Sequence, residues 1–130
     1  MCGIAGIIGS HGKDSIKEMV TAISHRGPDD EGYFTDELVS LGMRRLSIID
    51  LLGGKQPITS RDGRYQIFFN GEIYNYKKLR YELLDRGEKF KTESDTEVVL
   101  RLFEIYGIDM LTRLRGMFAF TIYDKKYAKI

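Results

Sequence analysis

The only cysteine of the chain follows the initiator methionine directly, as Cys2. Removal of Met1, usual where the second residue is small, leaves a thiol and a free α-amine on one residue. An α-amine titrates at about 7.7–8.0 and a thiol at about 8.5, so near neutral pH the amine can take the thiol proton directly or through one water. A nucleophile that carries its own base needs no histidine partner. The apolar, glycine-bounded run Gly3-Ile4-Ala5-Gly6-Ile7-Ile8-Gly9 behind it reads as a strand buried on both faces, a rigid mount for a reacting atom. On position alone, a single cysteine reads more readily as a small buried core residue.

Three polar clusters interrupt apolar patterns elsewhere. Arg44-Arg45, between Leu41-Gly42-Met43 and Leu46-Ser47-Ile48-Ile49, is either a half-exposed rim or a buried fork for a carboxylate. Asn70-Gly71-Glu72 is either a plain turn or an amide and a backbone N–H aimed at one oxygen. Ser94-Asp95 is either a helix cap or an acidic group set apart for a cation. Each alone is ambiguous. With Cys2 they make a nucleophile, an oxyanion hole, a carboxylate receptor and acidic groups for an ammonium. Those are the groups needed to attack the side-chain amide of a free amino acid.

Such groups need a scaffold, and 130 residues suffice for one domain that buries roughly 70% of its unfolded surface. Hydrophobic residues make up 42% and charged ones 30%, with a net charge of +1, so neither nucleic acid nor an anionic membrane is an expected partner. No apolar run approaches the roughly 20 residues of a membrane span, and no signal-like stretch opens the chain. One unpaired cysteine implies no disulfide framework, which makes the cytoplasm the expected location.

The patterning predicts a turn over 10–13 and then a helix from Asp14 or Ser15 to about Ser24, its core stripe Ile16, Met19, Val20 and Ile23. A polar loop covers 25–32, and strand pieces cover 32–35, 38–43 and 45–49. A loop follows over 51–54, and 56–58 is extended. A hairpin turn at 61–64 leads into a strand over 65–69, which Asn70-Gly71-Glu72-Ile73-Tyr74-Asn75 breaks. Asn75 caps a second helix to about Arg86, with Gly87 as its stop. A short strand follows over 89–92. Ser94 and Glu97 form a capping box for a third helix, with Val98, Val99, Leu102, Phe103 and Tyr106 inward and Gly107 at its end. Short helical turns fill 108–114, a strand covers 117–123, and a partial strand at 127–130 suggests a domain cut partway. Clustered strands with helices between them read as α+β, antiparallel sheets stacked with helices outside.

The runs Met1-Cys2-Gly3-Ile4-Ala5-Gly6, His25-Arg26-Gly27-Pro28-Asp29, Arg45-Leu46-Ser47-Ile48-Ile49-Asp50, Gln56-Pro57, Asn70-Gly71-Glu72-Ile73-Tyr74-Asn75, Ser94-Asp95-Thr96-Glu97 and Gly116-Met117-Phe118-Ala119-Phe120 resemble the glutaminase domain of glutamine-hydrolysing asparagine synthetases. That domain is a class II glutamine amidotransferase within the N-terminal nucleophile hydrolases, and the motifs stand in the family's order over the whole chain. The resemblance implies a four-layer αββα sandwich with residues 1–130 as the N-terminal part of the domain, incomplete at its C-terminus.

It further implies Cys2 as nucleophile toward the glutamine carboxamide and its amine as proton carrier. Asn70 and the Gly71 N–H would hold the oxyanion, Arg45 the substrate carboxylate, and Asp95 with Glu72 its ammonium. Arg26 would organise the site around Cys2. No Ser-Gly-Gly-x-Asp-Ser pyrophosphate loop is present. ATP and magnesium are therefore expected only in a synthetase domain absent from these residues, and no cofactor within them. L-Glutamine and a synthetase domain normally in the same chain are the expected partners, with homodimer formation left open. The alternatives are another class II amidotransferase, serving phosphoribosylamine, glucosamine phosphate or surface-polysaccharide synthesis, and a non-catalytic module.

Overall fold

Two three-stranded antiparallel sheets lie face to face, with helices on both outer sides. A computed structural model describes residues 2–9, 12–48, 50 and 53–130. Met1, the expected turn residues Ser10 and His11, the strand end Ile49 and the loop residues Leu51 and Leu52 lie outside the described residues.

The first sheet runs in the order β1 (Gly3–Ile8), β3 (Val39–Arg45), β2 (Asp30–Thr35), and the second in the order β4 (Ile58–Thr59), β5 (Tyr65–Ile73), β6 (Gly116–Asp124). The two-residue period of a strand sorts their side chains. Val39, Leu41 and Met43 of β3 meet Phe68 of β5 and Tyr123 of β6 between the sheets. Ile67, Phe69 and Ile73 of β5 turn the other way and meet Leu79 and Leu83 of α2 (Tyr76–Asp85) and Val98, Val99 and Leu102 of α3 (Asp95–Tyr106). On the far side, Ile16 and Val20 of α1 (Gly12–Ala22) close on Ala5. The layers are thus helix, sheet, sheet, helices, the αββα order that the resemblance implied.

The structure departs locally from expectation in several places. β1 is an edge strand, buried over Gly3 and Ala5 but exposed at Gly6 and Ile8, so it is not covered on both faces throughout. Helix α1 begins at Gly12, which places Asp14 and Ser15 inside it. β3 ends at Arg45, and 46–48 carry no strand pairing. β5 does not break at Asn70: its register with β6 continues to Ile73↔Gly116. The local turn signal of Asn-Gly yields there to a long cross-strand ladder. Gly71 makes this workable, since at φ +154° a Cβ would run into Met117 O and lie 2.6 Å from Phe118 Cα.

Residues 89–92 form no strand, because the Lys91 and Thr92 N–H groups donate to the Glu97 carboxylate. Asn75 occupies the α2 cap position without capping. Its side chain instead donates to Arg113 O (2.9 Å) and accepts from Arg115 N (2.9 Å), tying the loop before β6 to α2. The last residues form a tight turn closed by one bridge, Asp124↔Lys129.

Candidate functional site

The register of the first sheet pairs Gly3 with Arg44, which puts Cys2 at the strand end beside Arg45 and Leu46. The Leu46 N–H donates to Cys2 Sγ (3.4 Å), and the thiol in turn faces Leu46 O at 3.7 Å. Arg26 Nε donates to the Cys2 carbonyl (2.9 Å), so the first residue after Met1 is held through its backbone from the 3-10 turn Ser24–Arg26. The loop that follows is pinned to the end of β3. Arg44 donates from Nε to Gly27 O (2.8 Å) and pairs with Glu31 (2.7 Å), while Ser47 N donates to Asp29 Oδ2 (2.8 Å). Arg44 is therefore a clamp on the rim. Arg45 is the buried member of the pair, 5% exposed.

Arg45 Nη2 donates to Asp50 O (2.8 Å), and the same oxygen accepts from Gly54 N (3.0 Å). The Asp50 carboxylate accepts from Gly53 N and from Glu93 N, each at 2.8 Å. Asp50 thus links the guanidinium to the residue that precedes Ser94-Asp95. Sequence reasoning had Asp50 only as the end of a run; its φ of +50° is the kind of conformation in which Asp is enriched, but no local signal names its partners.

Across the gap stand Asn70, Gly71 and Glu72 of β5 and Asp95 at the start of α3. One cavity of about 120 Å³, several times the room a single water needs, is lined by Cys2, Arg45, Asn70, Gly71, Glu72 and Asp95, with Gln56, Thr96 and Met117 among its other walls. The Asn70 Oδ1 is buried without a hydrogen-bond partner. Asp95 is 5% exposed and accepts from Ile73 N at 3.0 Å. Burial, and then the nearby charge of Glu72, pushes its carboxyl above the ordinary range against the pull of the Ile73 N–H. An arriving ammonium would reverse that. Arg26 does not line the cavity; it reaches Cys2 from behind. Among the described residues, no three His, Cys, Asp or Glu side chains converge as metal ligands would.

Gln56, whose importance the sequence marked only as part of a dipeptide, fills the wall between the two halves. Its side chain bonds Phe69 of β5 twice, through Phe69 N (2.6 Å) and Phe69 O (3.0 Å).

Antiparallel sheets stacked face to face between helices make the αββα layering of the N-terminal nucleophile hydrolase fold. The solved structure of glutamine phosphoribosylpyrophosphate amidotransferase from B. subtilis, complexed with ADP and GMP, shares it: the TM-score is 0.78 at 22% identity, over 95% of this chain and 35% of that one. A family model described as glutamine amidotransferase domain matches residues 1–130, and the chain belongs to that family. Its relatives include asparagine synthetase [glutamine-hydrolyzing] 1 of Bacillus subtilis, 49% identical over 96% of this chain. Asparagine synthetase B of Escherichia coli is 38% identical over 97%. The chain spans 21% and 24% of the lengths of these two relatives.

Proposed function

We propose that this chain hydrolyses the side-chain amide of L-glutamine to glutamate and ammonia, with Cys2 as nucleophile. The observation that carries the reading is the single cavity shared by Cys2, Asn70, Gly71, Arg45, Glu72 and Asp95. With Met1 removed, the Cys2 amine takes the thiol proton as sulfur bonds to the amide carbon. The oxyanion that forms is met by the Asn70 amide and the Gly71 N–H. Arg45 holds the substrate carboxylate, and Asp95 with Glu72 the ammonium, which fixes the amide carbon over sulfur. The amine returns its proton to the departing nitrogen, releasing ammonia and leaving a glutamyl thioester. Water attacks that carbon with its proton passing to the amine, the carbon–sulfur bond breaks, and glutamate leaves with the thiol restored. Arg26 steadies the Cys2 backbone throughout.

The ammonia acceptor we propose is an ATP- and magnesium-dependent asparagine synthetase domain in the same polypeptide, working in the cytoplasm. The names and identities of the relatives support this reading. Magnesium and ATP would supply the acceptor's activation there, and no step at Cys2 draws on them.

An intact mass of the purified protein after 6-diazo-5-oxo-norleucine, a glutamine-like alkylator, tests the reading. Loss of Met1 and one adduct on Cys2, blocked by glutamine, is expected. A chain freed of Met1 that stays unmodified would overturn it.

A further inference from the structure

Gln56 joins the two sheets at the wall of the cavity. Its backbone crosses β2 so closely that a Cβ on Gly32 would run into the Gln56 carbonyl, while its side chain spans to Phe69 of β5. The two bonds it makes there, donating to Phe69 O and accepting from Phe69 N, are the pair that a residue on a neighbouring antiparallel strand would make. No strand supplies them, because β4 pairs with β5 only at Gln66 and Ile67.

Alternate residues of an antiparallel strand turn their N–H and C=O groups to the same edge. Ile67, Phe69, Gly71 and Ile73 therefore share the β5 edge away from β6. Ile67 meets β4, Phe69 meets the Gln56 amide, and the Ile73 N–H meets Asp95. Gly71 lies between the last two on the cavity wall, and no strand among the described residues pairs with its edge there. Asn70, whose Oδ1 has no hydrogen-bond partner, takes its aim from the β5 backbone that carries it.

We infer that Gln56 is a positioning residue for the oxyanion site: its side-chain amide replaces one strand residue at Phe69, stops the edge there, and fixes Asn70 and Gly71 toward the cavity. The inference rests on the glutaminase reading above. Both ends of the amide are engaged at Phe69, so Gln56 acts through β5.

The test compares Gln56→Met and Gln56→Glu with the wild-type protein in two measurements: steady-state glutamine hydrolysis, and the glutamine concentration that half-protects Cys2 from iodoacetamide. A displaced oxyanion site should lower kcat by about 10–100-fold while half-protection stays within about threefold. Gln56→Glu keeps an acceptor for the Phe69 N–H but sets a carboxylate oxygen against Phe69 O. Its kcat relative to wild type should climb as pH falls and the new carboxyl gains a proton to donate, a readout that a general packing role would not move. A folded variant of unchanged kcat overturns the inference. So does a fall in kcat matched by an equal loss of protection, or a Gln56→Glu deficit that is flat with pH. A wild-type protein that hydrolyses no glutamine would instead remove the functional reading and this inference together.

Discussion

Two carboxylates two residues apart at the start of α3 are both buried, yet their surroundings are opposite. Glu97, 1% exposed, accepts from Lys91 N (3.0 Å), Thr92 N (2.7 Å), Thr92 Oγ1 (2.7 Å) and Arg101 Nη2 (3.3 Å). Burial alone would raise its pKa, but these donors outweigh it and hold the carboxyl below its usual range. Asp95 receives one N–H from beyond its own turn, that of Ile73, with Glu72 beside it, and its carboxyl is raised. Glu97 is satisfied by the protein, as a structural charge must be. Asp95 has fewer donors, and it lines the cavity where the proposed function sets the substrate ammonium. Perturbation by burial and a like charge, inside a cleft, is what the proposed function expects of a binding acid and not of a structural one.

If that division is right, changes on the cavity side should alter turnover or affinity and spare the fold, and changes on the Glu97 side should do the reverse. Asn70→Ala should show the largest effect, a fall in kcat of about 10²–10³, or about 2.7–4 kcal/mol. Its unfolding free energy should hardly move, because Oδ1 has no partner to lose. Unchanged turnover in the folded variant would remove Asn70 from the site. Glu97→Ala leaves the buried Arg101 with Glu104 alone as a carboxylate partner and strips the Lys91 and Thr92 N–H groups of their acceptor, so denaturant unfolding should show a loss of about 3 kcal/mol. A folded Glu97→Ala with several-fold higher glutamine KM would blur the line between the two acids. Arg45→Ala should raise KM more than it lowers kcat, by about 1.5–3 kcal/mol for one charged hydrogen bond. The opposite split would move Arg45 from carboxylate binding to the chemistry.

The cavity residues were legible in the sequence because each breaks a local pattern: a cysteine at the second position, an arginine in an apolar run, Asn-Gly at a strand, an acid after a cap serine. The Ser94 half of the capping box was legible for the same reason, and Ser94 Oγ does accept from Glu97 N (3.3 Å). The return half was not. The Glu97 carboxylate bonds Lys91 and Thr92 instead, and that capture is why 89–92 form no strand. What sequence reading misses throughout is a side chain standing in for backbone. Gln56 completes a strand edge 13 residues away, Asp50 caps Glu93 from 43 residues away, and Asn75 bridges to Arg113 and Arg115 rather than capping its helix. Such partners are set by tertiary approach, and nothing in the neighbouring residues encodes them.

The smallest expected effect cuts the comparison most finely. A group whose folded pKa is raised contributes stability that is present below its unfolded pKa and lost as pH rises through the folded value. Burial, and after it Glu72, raises Asp95, so at neutral pH its ionised form weighs against the fold. Asp95→Asn removes that charge and keeps an oxygen for the Ile73 N–H. The variant should therefore unfold at a higher temperature than wild type near neutral pH, with the gap closing as pH falls and the wild-type carboxyl is protonated. Its glutamine KM should rise, by about tenfold for one charged hydrogen bond lost. Glu97→Gln should run the other way, because a lowered pKa contributes stability above the unfolded value that fades as pH falls. That variant should be weakest against wild type at neutral pH and converge with it in acid. Opposite pH trends from two substitutions two residues apart would fix the functional and structural acids as separate kinds. Parallel trends would mean that Asp95 is held for the helix alone, and that the ammonium is met by Glu72.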